Sequence, residues 1–155
     1  MTRLIINPDK CIGCRTCEMV CSLYHSGRFN PLESRITILT FEAEGIHVPV
    51  VCQQCEDPIC QAVCPTNAIY RDEDTGALVI NTARCIGCKL CILTCPLGGP
   101  SFNPVLQQTI KCDLCGGDPQ CVQFCPSGAI RYTDGRGKSA GEKKQVEMIT
   151  GGEKR

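Results

Sequence analysis

Sixteen cysteines in four groups of four are the feature that most constrains how this chain can fold. In every group two residues separate the first two cysteines and three separate the last two, so one motif occurs four times. The third group reads C-x₂-C-x₂-C-x₃-C-P, the first lacks only the proline, and the others widen the middle spacing to four and five residues. The groups are Cys11, Cys14, Cys17 and Cys21; Cys52, Cys55, Cys60 and Cys64; Cys85, Cys88, Cys91 and Cys95; Cys112, Cys115, Cys121 and Cys125.

This spacing is typical of [4Fe–4S] ligation, in which the fourth cysteine of a run ligates the other cluster of a pair. We therefore predict that all sixteen cysteines are ligands and that the chain holds four [4Fe–4S] clusters. A [3Fe–4S] cluster is the alternative at any one site, but no group lacks a cysteine. Zinc sites often include histidine, and the chain has only His25 and His47. Disulfides between such near neighbours are geometrically awkward.

Composition supports a metal protein rather than a disulfide-bonded one. The hydrophobic fraction of 43% includes the sixteen cysteines, and the chain has no tryptophan. Cluster binding is therefore expected to supply folding energy that a small apolar core does not. The N-terminal segment MTRLIINPDK has no signal-peptide core, and no apolar run is long enough to span a bilayer. We expect a cytoplasmic location, where thiols stay reduced.

Local patterns predict short strands and helices between the cysteine groups. Asn67, Gly98 and Gly128 each follow a Cys-Pro pair and suit positive φ, so the same tight turn is expected three times. A short helix is expected between the third and fourth cysteines of each group. Predicted strands are Leu4–Ile6, Ala68–Tyr70 paired with Leu78–Ile80 in a hairpin, and Arg35–Phe41 paired with Ile46–Val51 across a Glu42–Gly45 turn.

The stretches CIGCRTCEMVCSLYHSG and CQQCEDPICQAVCPTNAI make the chain, from about Leu4 to Tyr132, resemble the four-cluster electron-transfer subunits of the dimethyl-sulfoxide-reductase family. This resemblance implies an α+β fold in which two bacterial-ferredoxin-like dicluster units are nested, with short helices and β-hairpins around four clusters. The outer unit would comprise residues 1–50 and 97–134 (first and fourth groups), and the inner unit residues 51–96 (second and third groups). Residues 135–155 are expected to form a flexible basic tail.

The resemblance also implies how the clusters are ligated, because the pairs in that family are nested, first with fourth and second with third. The implied sets are Cys11, Cys14, Cys17 with Cys125; Cys112, Cys115, Cys121 with Cys21; Cys52, Cys55, Cys60 with Cys95; and Cys85, Cys88, Cys91 with Cys64.

The short length resembles, more loosely, the small subunits of tungsten-dependent aldehyde oxidoreductases and class II benzoyl-CoA reductases. The sequence has no phosphate-binding loop and no nucleophile elbow, so we expect a non-catalytic electron-transfer subunit. The expected partners are a large tungsto- or molybdopterin oxidoreductase subunit at one end and a ferredoxin, a flavin- or NAD-linked subunit or another copy of the chain at the other. Neither nucleic-acid binding nor direct membrane insertion is expected. The alternatives are a free-standing polyferredoxin shuttle and a zinc-stabilised interaction module.

Charged residues beside the cysteines are candidates for tuning the cluster potentials. Basic residues would raise a potential and acidic residues would lower it, but either kind is also common as a solvated surface side chain. His25 follows the first group and receives no ligand role. The basic candidates are Lys10, Arg15, Arg84, Lys89 and Lys111, and the acidic ones are Asp113 and Glu56.

Overall fold

The protein, described here from a computed structural model covering residues 2–134 and 139–140, combines short helices with antiparallel strands, as an α+β fold requires. The strands are β1 (Thr2–Ile6), β2 (Ile36–Phe41), β3 (Ile46–Val51), β4 (Ile69–Arg71), β5 (Leu78–Ile80), β6 (Pro100–Asn103), β7 (Gln108–Lys111), β8 (Ile130–Asp134) and β9 (Ser139–Ala140). The helices are α1 (Thr16–Ser26), α2 (Ile59–Ala62), α3 (Leu90–Thr94) and α4 (Gln120–Gln123). None of the helices in residues 2–134 is long and apolar enough to cross a membrane.

Strands β1 and β8 join the two ends of the described chain. They pair antiparallel, with Leu4 opposite Tyr132 and Ile6 opposite Ile130. Leu4 and Tyr132 are buried, whereas Ile5 is exposed, as the two-residue period of a strand dictates. This pairing brings the start of the first cysteine group to the end of the fourth.

Both predicted hairpins are present, with small shifts at their ends. Strand β2 begins at Ile36 rather than Arg35, and β4 covers Ile69–Arg71 rather than Ala68–Tyr70. A third hairpin, β6 with β7, was not predicted. Its turn contains Asn103-Pro104, a recognisable turn signal, and the Asn103 side chain accepts from the next two free N–H groups.

The four predicted helices form, but α1 is much longer than the others. The first group has no proline after its last cysteine, so α1 continues through Cys21 and ends at Gly27, whose φ is 70°. Helices α2, α3 and α4 have four or five residues and stop before the Cys-Pro pairs. The turns that follow have φ of 49° at Asn67 and 64° at Gly98 and Gly128, as predicted.

Two apolar clusters of buried side chains lie between these elements, and both contain cysteines. The larger one includes Leu4, Ile36 and Leu114 with cysteines of the first, second and fourth groups. The smaller one includes Ile69 and Leu78 with cysteines of the second and third groups. Each fully buried Leu or Ile contributes about 1.5–3 kcal/mol, so these clusters fix the loops that carry the sulfur atoms.

The predicted flexible tail over residues 135–155 lies outside the described residues, apart from β9. Ser139 and Ala140 pair with Thr133 and Tyr132 and extend the β1–β8 sheet by one strand.

Candidate metal centres

Twelve of the cysteines line three cavities, and each cavity combines three cysteines of one group with the last cysteine of another. Set A is Cys11, Cys14, Cys17 and Cys125; set B is Cys21, Cys112, Cys115 and Cys121; set D is Cys64, Cys85, Cys88 and Cys91. Close approaches bring together Cys52, Cys60 and Cys95, and the ligation expected from the sequence adds Cys55 to them as set C.

Set A lines a cavity of about 290 Å³ between the first group and the end of the fourth. Burial raises the pKa of the Cys17 thiol to about 12, and the nearby Cys125 and Cys14 thiolates act in the same direction. Burial alone would also raise the pKa of Cys125, but N–H groups of the turn after it, including that of Ala129, lower it. The β1–β8 pairing positions these two cysteine loops.

Set B lines a second cavity of about 290 Å³, and three of its four cysteines are buried. Burial raises the pKa of the Cys121 thiol well above its ordinary value, and the Cys112, Cys21 and Cys115 thiolates raise it further. The backbone N–H of Arg35 donates to Cys21 Sγ at 3.3 Å. Helix α1 packs against α4, and this contact carries Cys21 to the fourth group.

Set D lines a cavity of about 340 Å³ that is formed by the third group and Cys64. The Ala68 N–H donates to Cys64 Sγ at 3.2 Å. Burial opposes ionisation of Cys64, but hydrogen bonds from Ala68 and Thr66 outweigh it and lower the pKa of this thiol. The Cys-Pro turn therefore stabilises a thiolate directed at the third group.

Set C is defined by close approaches between the second group and Cys95. Burial raises the pKa of Cys60, nearby Lys111 lowers it, and the Cys52 and Cys95 thiolates raise it. The Gly99 N–H donates to Cys95 Sγ at 3.3 Å, and a Cβ on Gly99 would lie only 3.1 Å from Cys52 Cα. Only glycine fits there without displacing Cys52.

Four cysteines converge at each of sets A, B and D, and their chemistry fits an iron–sulfur cluster. Burial is the main cause of the raised pKa values of the buried thiols, and repulsion between neighbouring thiolates adds to it. A bound iron–sulfide core relieves this repulsion, because iron holds each sulfur in its deprotonated form. Four cysteines in one cavity match the number of ligands that a [4Fe–4S] cluster takes.

Neighbouring thiolates show how the sets follow one another in space. Cys17 of set A lies near enough to raise the pKa of Cys121 in set B. The Cys52 thiolate of set C raises the pKa of Cys112 in set B. The Cys60 thiolate of set C raises the pKa of Cys91 in set D. The order is therefore A, B, C, D.

The two ends of this series are open to solvent. Cys14 in set A and Cys88 in set D are the exposed cysteines of the chain. Large apolar side chains line the same cavities, with Ile12 62% exposed at set A and Ile86 67% and Leu90 40% exposed at set D. Sets B and C contain no exposed cysteine.

A polar cluster beside set B was not predicted from sequence. His25 Nε2 lies 3.8 Å from Cys115 Sγ and 3.4 Å from Asp113 Oδ1, and Arg35 forms an ion pair with the same carboxylate. Burial and the Arg35 charge lower the pKa of His25 to about 4, so a neutral imidazole faces the sulfur. The Arg35 guanidinium balances the charge of Asp113, and no local sequence pattern signals the contact of His25 with Cys115 across 90 residues.

The basic candidates beside the cysteines separate into two kinds. Lys10, Arg15, Arg84 and Lys89 are exposed, as is the acidic candidate Glu56. Lys111 is 3% exposed, and its Nζ donates to Cys52 Sγ at 2.7 Å.

Comparison with known proteins gives matches along nearly the whole described chain. A 4Fe-4S dicluster domain matches residues 43–135, and a 4Fe-4S binding domain matches residues 2–23. The polyferredoxin-like subunit of aliphatic sulfonate oxidoreductase from Pyrococcus furiosus is 49% identical over 123 residues, which cover 79% of this chain and 70% of that protein.

A subunit of anaerobic dimethyl sulfoxide reductase from Escherichia coli is 33% identical over 147 residues, covering 82% of this chain and 70% of that subunit. Among solved structures, the active site complex BamBC of benzoyl coenzyme A reductase contains a polypeptide that is 28% identical, with a TM-score of 0.53. That match covers 97% of this chain and 86% of the other.

Proposed function

Because the chain belongs to the family of iron–sulfur electron-transfer proteins built on the 4Fe-4S dicluster domain, we propose that it relays electrons through four [4Fe–4S] clusters to or from a catalytic subunit. The observation that carries this proposal is that three separate cavities are each lined by four cysteines drawn from two groups. When bound, each cluster supplies a centre that accepts and donates single electrons.

The proposed ligands are the members of sets A, B, C and D, with the last cysteine of each group crossing to its partner group. The nested arrangement follows from this crossing. The outer unit comprises residues 1–50 and 97–134, and the inner unit residues 51–96. The β1–β8 pairing and the contact of α1 with α4 support the outer unit, and the contact of α2 with α3 supports the inner one.

The role of the protein chain in this relay is to hold the sets in one row and to shield its middle. Sets B and C contain no exposed cysteine, which limits the contact of water with the central positions. Solvent exposure of Cys14 and Cys88 leaves the two ends accessible to other redox centres. We propose one docking surface at each end, around Ile12 at set A and around Ile86 and Leu90 at set D, because these exposed apolar side chains line the same cavities as the exposed cysteines.

One end would meet a large catalytic oxidoreductase subunit, of the tungsto- or molybdopterin class. Similarity to subunits of an aliphatic sulfonate oxidoreductase and of dimethyl sulfoxide reductase supports a catalytic partner. The other end would meet a ferredoxin, a flavin- or NAD-linked subunit or another copy of the chain. The chain itself would be non-catalytic, and its sixteen thiols suit the reducing cytoplasm.

Purification from the native source under anaerobic conditions, followed by native mass measurement, tests this function. The expected result is a complex in which this chain and a larger subunit remain together and both contain their metal. A stable monomer that is never retained by a catalytic subunit, yet carries electrons between soluble proteins, would instead establish a free-standing polyferredoxin shuttle.

A further inference from the structure

A buried lysine contacts a cysteine sulfur in the interior of the row. Lys111, the last residue of β7, is 3% exposed. Its Nζ donates to Cys52 Sγ at 2.7 Å and to the Leu78 carbonyl oxygen at 2.7 Å. Burying an ammonium group is costly unless an anion and hydrogen-bond acceptors compensate, and a cluster thiolate supplies the anion here.

Two further hydrogen bonds fix the position of this lysine. The Leu78 N–H donates to Gln54 Oε1 at 2.6 Å, and Gln54 Nε2 donates to the Cys112 carbonyl at 2.8 Å. Gln54 is fully buried. Since Cys112 directly follows Lys111, the four residues form a closed network that holds Nζ against the Cys52 sulfur rather than letting it reach solvent.

The other basic side chains beside the cysteines lack this arrangement. Lys89 is exposed, and its Nζ lies 3.9 Å from the centre of the Phe102 ring rather than on a sulfur. Water and salt screen a charge at such a position, whereas a charge beside a buried thiolate is screened far less.

We propose that Lys111 is a positioning residue that raises the reduction potential of the cluster held by set C above the value that set C alone would give. The inference rests on the proposed function, because it requires a cluster at set C. Reduction adds one negative charge to a cluster, so a fixed positive charge and an N–H···S hydrogen bond stabilise the reduced form more than the oxidised one. An electron passed to set C from a reduced neighbour in the row, which is thereby oxidised, is therefore held there more strongly than it would be without Lys111.

The test uses the full chain, loaded and purified anaerobically, with the variants Lys111→Met and Lys89→Met. Lys111→Met keeps an unbranched side chain that is one atom shorter and removes its charge and donors, and Lys89→Met does the same at an exposed position. Iron and sulfide content are measured first, and redox titrations followed by electron paramagnetic resonance then give the midpoint potentials. A companion Cys95→Ser variant identifies the signal that belongs to set C.

With all clusters retained, Lys111→Met should shift the set C potential in the negative direction and move the others less, and Lys89→Met should leave every potential unchanged. An unchanged set C potential in iron-replete Lys111→Met would overturn the inference. Low iron with no set C signal in the unaltered protein would instead contradict the proposed function.

A second measurement needs no variant and covers the case in which Lys111→Met fails to fold. In unaltered protein carrying isotopically labelled lysine nitrogen, electron–nuclear double resonance of the reduced set C cluster should detect a coupling to one lysine nitrogen. No such coupling would mean that Nζ does not contact Cys52, and this would overturn the inference.

Discussion

Replacing Gln54 by leucine should weaken the junction between the second and fourth cysteine groups. The Gln54 carboxamide is fully buried and joins the Leu78 N–H to the Cys112 carbonyl, with distances of 2.6 Å and 2.8 Å. Leucine has a similar volume but neither donor nor acceptor. The variant would therefore leave two buried backbone groups without partners, one in each of the segments that Gln54 joins.

The expected loss of stability follows from counting these two backbone groups. A buried backbone donor or acceptor without a partner costs about 1–3 kcal/mol, so the two together cost about 2–6 kcal/mol. At the smaller figure, we take about 1.4 kcal/mol of the lost stability to lower the activation free energy of unfolding. The unfolding rate then rises about tenfold. An increase of about tenfold is therefore the effect expected at the lower end of this range.

The neighbouring glutamine provides a matched control. Gln53 is half-buried, and its Nε2 donates only to the nearby Val51 carbonyl at 3.1 Å. The assay is the rate at which the visible absorbance of the clusters disappears in urea under anaerobic conditions, a kinetic measure that suits irreversible unfolding. Gln54→Leu should bleach at least about tenfold faster than Gln53→Leu. Equal rates for the two variants would refute the reasoning.

Three further predictions follow from the sets and their surroundings. Because Cys64 lies with the third group in set D, Cys64→Ala should abolish the same paramagnetic resonance signal as Cys88→Ala, and loss of two different signals would contradict the crossing. Gly13→Ala should reduce cluster retention, because its Cβ would lie 2.6 Å from the His47 ring and its φ is +67°. Adding His47→Ala should restore only part of the retention, since a backbone cost of about 1–2 kcal/mol remains; full restoration would show that φ is unimportant there. Removing residues 135–155 deletes no cysteine and should leave iron content unchanged, and a loss of iron would show that this segment supports a cluster.

Much of the local fold could be predicted because proline, glycine and asparagine act over short distances in sequence. The Cys-Pro pairs ended α2, α3 and α4, and positive φ at Asn67 and Gly98 followed from the types of residue at these positions. The absence of proline after Cys21 likewise separated the first group from the others, although the length of α1 was not predicted. The β6–β7 hairpin was missed even though Asn103-Pro104 marks its turn.

The electrostatic surroundings of the sulfur atoms could not be predicted in the same way. Lys111 stood in sequence beside a cysteine, like Lys10 and Lys89, but it contacts the sulfur of Cys52, which is 59 residues away. His25 reaches Cys115 only after α1 packs against the fourth group. These contacts depend on how separate segments fold onto each other, and a cysteine motif carries no information about that.

Iron and acid-labile sulfide measured per chain, on anaerobically purified protein, test the central claim most directly. Four [4Fe–4S] clusters on sixteen cysteines require about 16 iron and about 16 sulfide per chain. That result, in a brown protein without zinc, is what the four sets of cysteines predict. Zinc in a colourless protein, or iron near half of the expected amount, would contradict the claim.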